Sequence, residues 1–349
     1  MAVIVVTGSA GLVGSEAVRR FGAEGFDVVG IDNDMRKSFF GDAASTLAAR
    51  RRLEIDCRFY THCDVDIRER ASVERLFARY GANVAAVIHA AAQPSHEWAT
   101  RDPVVDFEVN AAGTVYLLEA TRRHCPDAAF VFTSTNKVYG DAPNALPLVE
   151  LDRRMDLADG HAYRDGVDET MSIDQSMHSP YGASKAAADL AVQEYGRQFG
   201  MKTAVFRCGC VTGPAHAGVE LHGFLSYLMK CTIAGTPYTI HGYGGKQVRD
   251  NLHSADLVAA MWEFVQHPGA AKVYNIGGGR DASCSILEAI DHCQDIAGRR
   301  LRYAYSDRRR PGDHAWWISS VRRFNRDYPA WSRRHSLHDT LEQIHDSCV

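Results

Sequence analysis

Val3-Ile4-Val5-Val6-Thr7-Gly8-Ser9-Ala10-Gly11-Leu12-Val13-Gly14 runs from an apolar stretch straight into glycines at positions 8, 11 and 14. The apolar residues up to Thr7 read as a buried strand, and Leu12 to Glu24 reads as an amphipathic helix. Gly8 permits a tight turn, Gly11 lets backbone approach a pyrophosphate, and Gly14 lets the helix pack on the strand. The N–H groups at the helix start, those of Leu12 and Val13 among them, then meet the anion at the positive end of the helix. Glycines at this spacing are common. The strand before them and the helix after them are what make the stretch a dinucleotide turn.

Downstream residues extend that reading. Asp32 ends a second apolar strand, 18 residues after Gly14. A carboxylate there accepts hydrogen bonds from ribose hydroxyls and repels a 2′-phosphate, which favours NAD, with Asn33 beside it. Arg36 and Lys37 leave NADP as the other option. Asp64, followed by Val65, closes a third strand, where it either accepts from the adenine amino group or caps a helix. Ala90, Ala91 and Ala92 follow the fourth strand and are small enough for a cofactor to lie against their backbone.

The wider pattern is α/β. Strands are expected at Val3–Thr7, Asp27–Ile31, Arg58–His62, Ala85–His89, Ala129–Thr133 and Lys202–Phe206. Helices are expected at Leu12–Glu24, Arg68–Tyr80, Asp102–His124 and Tyr181–Phe199. Right-handed crossovers order these as a doubly wound parallel sheet, a Rossmann fold. Residues 1–212 are expected to form the NAD-binding domain and 213–349 a smaller mixed α/β substrate lobe, with 248–265 returning to the first domain. Two stretches break the rhythm, 33–54 and 141–178, and both are expected to be ligand-facing loops at the carboxyl ends of strands.

Composition narrows the class. A formal charge of -4 over 349 residues offers no basic face for nucleic acid. Nothing approaches the roughly 18 consecutive apolar residues of a membrane helix, and no signal peptide is expected. The 9 cysteines lack paired CxxC spacing, which suits reduced thiols in the cytoplasm. No HxH or HExxH spacing suggests a metal.

For chemistry, Tyr181 and Lys185 lie one helical turn apart. An ammonium beside the phenol favours its ionised form, so Tyr181 can take a hydroxyl proton while hydride leaves the same carbon to NAD. Thr133, Ser134, Thr135 and Asn136 follow the fifth strand, either bridging substrate and Tyr181 or forming a hydroxyl-rich turn. Asn110 either orders a water or carbonyl near Lys185 or is a plain helix polar residue. His89, His96, His216 and His222 are candidates for the substrate pocket, and His96, on the loop after the fourth strand, is the leading one for a sugar contact. Trp316 and Trp317 either stack a base or pack the smaller lobe, while Cys208 and Cys210 fall on a loop where an inert role outweighs a nucleophilic one.

The TGxxGxxG turn, Asp32, Asp64, Asn110, STxxVYG at 134–140 and YxxxK at 181–185 together resemble the extended short-chain dehydrogenase/reductase superfamily over nearly the whole chain. The resemblance implies that Thr135 assists Tyr181. It also implies that Arg249 of Val248-Arg249-Asp250 and Arg310 of Arg309-Arg310-Pro311-Gly312-Asp313 hold a diphosphate, as guanidinium forks do. Gln93 and Cys210 join the implied sugar contacts.

Longer segments, HAAAQPSH (89–96), STNKVYGD (134–141), GASKAAAD (182–189), ELHGFLSYLMKC (220–231), GKQVRDNLHSADLV (245–258) and GDHAWWIS (312–319), resemble the CDP-paratose 2-epimerase family. That implies inversion of a sugar carbon, by preference C2, through a ketone with NAD regenerated, in a homodimer or homotetramer. Related dehydratases carry an Asp-Glu pair after the catalytic hydroxyl; Asn136 and Lys137 stand there in this chain. Open alternatives are a related enzyme that retains NAD (a dehydratase, C4 epimerase or oxidoreductase) and a non-catalytic NAD sensor on the same fold.

Overall fold

A computed structural model describes all residues except Met1, Leu221, Arg310 and Pro311. The chain divides into two compact units, residues 1–138, 180–207 and 258–274, and residues 139–179, 208–257 and 275–349.

The first unit is built on a parallel sheet. Its strands are β1 (Val3–Thr7), β2 (Asp27–Ile31), β3 (Tyr60–Cys63), β4 (Val84–His89) and β5 (Ala129–Thr135). After the short β6 (Leu148–Glu150) and β7 (Met155–Leu157) of the second unit come β8 (Thr203–Cys208) and, later, β12 (Lys272–Ile276). The sheet order is β12-β8-β5-β4-β1-β2-β3, so the order of winding reverses between the parallel neighbours β1 and β4. Ligands of doubly wound sheets bind at the carboxyl ends of such strands. Every residue of β1 is buried, as a strand covered on both faces requires.

Helices α1 (Leu12–Ala23), α4 (Arg70–Tyr80), α7 (Gly113–His124) and α8 (Pro180–Phe199) belong to this unit. Val73, Phe77, Leu117, Leu118 and Val192 from the last three of these pack with Val5, Val29, Val87, Phe130, Phe132 and Val205. Each such side chain contributes about 1.5–3 kcal/mol by leaving water.

Two expectations are refined here. Residues 33–54 are not an open loop but carry α2 (Met35–Phe40), a single 3₁₀ turn at Asp42–Ala44 and most of α3 (Leu47–Asp56). The expected helix 102–124 is three pieces after α5 (His96–Arg101): α6 (Pro103–Phe107), a π turn at Glu108–Ala112, and α7. The π turn contains Asn110, whose side chain is engaged on three sides. Wider turns of this kind recur at functional sites.

The second unit packs α9 (Phe224–Ala234), α11 (Ile286–Ala297) and α13 (Leu337–Asp346) around Leu228, Met229, Ile240, Leu287, Ile290, Leu341 and Ile344. Its strands are β9 (Cys210–Thr212), β10 (Tyr238–His241), β11 (Val248–His253), β13 (Ser283–Ser285), β14 (Tyr303–Ser306) and β15 (Trp316–Trp317); α10 (Ser254–Gln266) and α12 (Arg322–Asp327) complete the elements. Because β11 pairs with β9, β13 and β15, residues 248–253 stay in this unit, and the return to the first comprises 258–274 rather than 248–265. Residues 139–179 also belong here. Their β6–β7 hairpin is pinned by Met155 N donating to Lys246 O at 2.8 Å, and by Arg280 gripping Asp156 at 2.8 and 2.9 Å.

Candidate active site

The glycine turn is shaped as its sequence demands. A Cβ on Gly8 would meet Ala91 backbone at 2.9 Å, and one on Gly14 would meet Gly8 O at 2.0 Å. No side chain caps α1, and its first turn holds no acidic residue, so the N–H groups of Leu12 and Val13 remain at the positive end of the helix. Asp32 holds the turn by accepting from Ala10 N at 3.0 Å, and its other oxygen accepts from Asp34 N at 2.9 Å. The oxygen that takes Ala10 N has a further lone pair for a ribose hydroxyl.

Asn33 accepts from Met35 N at 3.2 Å. Asp64 is exposed beyond β3, and since Glu69 occupies the cap position of α4, the helix-cap alternative falls. Val65 N folds back onto Cys63 O, and Ala90 N and Ala91 N bond Thr7 O and Thr7 Oγ1. Ala92 is half-buried beside them. Lys37 pairs with Asp42 at 2.9 Å and Arg36 lies over the Phe40 ring at 4.9 Å, so both cations have roles within α2 and its turn. The cradle fits a dinucleotide without a 2′-phosphate.

Tyr181 sits in the first turn of α8, with Lys185 and Asp189 on the following turns. Lys185 is 2% exposed, donates to Thr133 O at 2.8 Å and lies 4.1 Å from the centre of the Phe132 ring. The Thr133 hydroxyl is buried and has no hydrogen-bond partner among the described residues. Thr135 Oγ1 donates to Asn136 Oδ1 at 3.3 Å and accepts from Lys137 N at 3.2 Å. His96, at the start of α5, sets its ring edge-on to Tyr181 with centroids 4.8 Å apart.

Some candidates turn inward. Ser134 donates to Asp189 at 2.8 Å, and Asp189 also takes two bonds from Arg207 at 2.9 and 3.0 Å, so Ser134 fixes the strand end instead of facing outward. Gln93 is fully buried. Its amide donates to Ser95 O and Asp106 and accepts from Ser95 N, leaving nothing for a sugar. Asn110 clamps Gln93 from both backbone atoms at 3.0 Å and donates to Ser184 Oγ at 3.1 Å, tying the loop after β4 to α8. It is therefore no plain helix residue. Asp106, which sequence reading missed, anchors this cluster; burial pushes its carboxyl upward.

His89 is likewise internal. Thr114 spends its proton on Asn110 O, so His89 Nε2 donates to Thr114 and Nδ1 accepts from Thr7. Burial, reinforced by Lys185, holds that imidazole neutral.

In the second unit, Arg249 is buried and paired with Asp313, and it donates to Val248 O at 2.7 Å. Arg309 lies over the Tyr243 ring at 4.6 Å. Arg310 lies outside the described residues. Trp316 and Trp317 are fully buried, and Trp317 stacks on Tyr139 at 5.3 Å, so packing is their role and base stacking is not. His216 and His222 pair with each other at 3.3 Å. Cys210 is half-buried in β9, Cys208 is buried, and none of the nine cysteines is joined in a disulfide. Among the described residues no cluster of three or more His, Cys, Asp or Glu could hold a metal, and no helix is long and apolar enough to cross a membrane.

Comparison with known proteins agrees with this geometry. Residues 4–277 match the model of the NAD dependent epimerase/dehydratase family. The chain is 29% identical to CDP-paratose 2-epimerase of Salmonella typhi over 98% of each chain. It is 29% identical to dTDP-glucose 4,6-dehydratase of Shigella flexneri, over 86% of this chain and 84% of that one. Among solved structures, UDP-glucose 4-epimerase of Thermus thermophilus in complex with NAD superposes with a TM-score of 0.77 at 26% identity, covering 99% and 98% of the two chains. From its glycine turn to its Tyr181–Lys185 helix, the chain belongs to the NAD-dependent epimerase/dehydratase family, the extended short-chain dehydrogenase/reductases, and its cofactor is NAD.

Proposed function

We propose that this protein is an epimerase of a nucleotide-diphosphate sugar, inverting C2 through a transient keto-sugar and ending each turnover with its NAD restored. The observation that carries the reading is Asn136. Elimination of water needs an acid and a base beside the catalytic hydroxyl. In this chain Thr135 meets the buried amide of Asn136, followed by Lys137, so neither of the two positions after the hydroxyl carries a carboxylate. The full-length similarity to CDP-paratose 2-epimerase supports C2 as the carbon.

Bound NAD supplies the acceptor for a hydride from the sugar carbon and returns it. Tyr181 takes the hydroxyl proton and later gives it back. Thr135 orients the sugar oxygen toward the phenol, and Lys185, fixed by Thr133 O, keeps a positive charge beside the developing phenolate. His96, on the ring edge of Tyr181, contacts the sugar. Arg249 and Arg310 bind the diphosphate, which leaves the sugar free to present its other face, and Cys210 contacts the sugar. Asp64 receives the adenine amino group. The exposed Val104 and Phe107 of α6 and Leu190 of α8 support a homodimer or homotetramer, and nine cysteines outside any disulfide support a cytoplasmic setting.

Tyr181→Phe tests the base. Turnover should fall about 10²- to 10⁴-fold while bound NAD is kept. Unchanged turnover sinks the assignment. Mass spectrometry of the product separates the reactions, since epimerisation conserves mass whereas a dehydratase product lacks one water. Screening CDP-, dTDP- and UDP-linked sugars identifies the nucleotide.

A further inference from the structure

The chain between β2 and β3 is far longer than a crossover turn requires, and two sets of contacts decide where it goes. At its base, Asp34 adopts left-handed backbone (φ 53°) and its carboxylate gathers the far end of the segment. It accepts from Thr46 N at 2.6 Å, Ser45 Oγ at 2.7 Å and Thr46 Oγ1 at 3.1 Å. Residues 35–44 are thereby closed into a loop whose ends meet. Thr46 Oγ1 also reaches the ribose-binding carboxylate of Asp32 at 3.2 Å.

At the tip of the loop, Phe39 is 8% exposed and meets Trp98 of α5 edge-on, with centroids 4.5 Å apart. Topology gives this contact its meaning. The loop leaves β2, while α5 follows β4, and β1 with its glycine turn lies between those two strands. A segment from β2 that touches one from β4 closes, together with it, the gap over the carboxyl end of β1, two strand spacings or about 10 Å wide. That is where the dinucleotide lies.

The far side of the crossing is rigid. Trp98 N donates to Ser95 Oγ at 3.2 Å, Ser95 N donates to Gln93, and Gln93 donates to buried Asp106 at 2.6 Å. The helix that carries Trp98 also carries His96, which touches Tyr181.

We infer that residues 34–46 form a strap across the NAD cleft, latched by Phe39 on Trp98, which keeps the reduced cofactor in place until the hydride is returned. The inference rests on the epimerase reading, because only an enzyme that reuses its own hydride needs such retention. An edge-to-face aromatic pair contributes roughly two- to tenfold in an equilibrium beyond the area it buries. Release should therefore respond to its loss.

The test compares wild type, Phe39→Ala, Trp98→Ala and Trp98→Phe after gel filtration without added cofactor. Bound NAD is counted after heat release, and NADH dissociation is followed by fluorescence on chasing with excess NAD. Wild type and Trp98→Phe should keep NAD. The two alanine variants should lose most of it and release NADH at least about tenfold faster, with thermal unfolding of the NAD-saturated proteins little changed. Ser45→Ala, which loosens the base and leaves the aromatic pair alone, should shift release in the same direction by less. Alanine variants that retain NAD and NADH as wild type does overturn the strap and leave the epimerase reading intact. A wild type that loses NAD freely overturns the retained-cofactor reading and the strap with it.

Discussion

Two arginine–aspartate pairs in this chain look alike on paper and differ in what they can do. Asp189 and Arg207 lie in the first unit, with side chains 0% and 5% exposed, joined through two hydrogen bonds. Arg249 and Asp313 lie in the second, 9% and 21% exposed. The first pair is sealed and has Ser134 and Gln193 as further partners, so its charges have nowhere else to go. It holds the end of β5 against α8. The second pair has a carboxylate that water reaches, and a phosphate can take over or share its guanidinium at modest cost. Burial, more than pairing, separates a brace from a binding group.

Breaking the sealed pair is expected to have the larger effect. Arg207→Met leaves the Asp189 charge buried without its fork and should cost about 3–5 kcal/mol in denaturant-induced unfolding. Replacing both residues by apolar ones of similar volume should cost clearly less. If Arg207→Met unfolds like wild type, the pair is no brace. The open pair should behave in the opposite way. Arg249→Met, whose aspartate partner is reached by water, should cost clearly less in unfolding than Arg207→Met but raise KM for the nucleotide sugar about ten- to a hundredfold, the scale of a lost charged hydrogen bond. Added salt should weaken substrate binding to wild type more than to the variant. Equal salt dependence in the two would remove Arg249 from the diphosphate.

The same contrast explains what the sequence disclosed. β1 and β2 fall where the apolar runs place them, because buried parallel strands are written as continuous aliphatic stretches bounded by glycine. Tyr181 and Lys185 were legible because a helix brings residues four apart together. Ser134 and Gln93 were visible as polar residues near the site, but whether a polar group faces in or out depends on partners such as Asp189 and Asp106, far away in sequence. The Phe39–Trp98 contact joins residues 59 apart, and no local period encodes it. The π turn at Asn110 was hidden for a related reason. Its neighbours have ordinary helical character, and the extra residue per turn is stabilised by the tertiary bonds of Asn110.

Asp250, next to Arg249, sharpens the comparison as a buried carboxylate bonded to N–H groups and not to a guanidinium. It accepts from Ser319 N at 3.0 Å and Gly279 N at 3.4 Å. Its niche exists because Gly209 and Gly277 lack side chains: a Cβ on either would lie 2.3 or 2.0 Å from the carboxylate oxygens. Burial raises its pKa to about 6, against the Ser319 and Gly279 bonds that lower it. A carboxyl with a higher pKa in the folded state than in the unfolded chain binds protons more tightly when folded. Its contribution is therefore fully present below about pH 4, the unfolded value, and is lost as pH rises through 6. Asp250→Asn keeps an acceptor for Ser319 N but cannot ionise. Unfolding free energy should thus fall less between pH 4 and pH 6 in the variant than in wild type, a difference on the order of 1–3 kcal/mol measured by urea titration at each pH. Parallel curves would mean that Asp250 titrates as an ordinary carboxylate and that its N–H partners alone offset the cost of burying its charge.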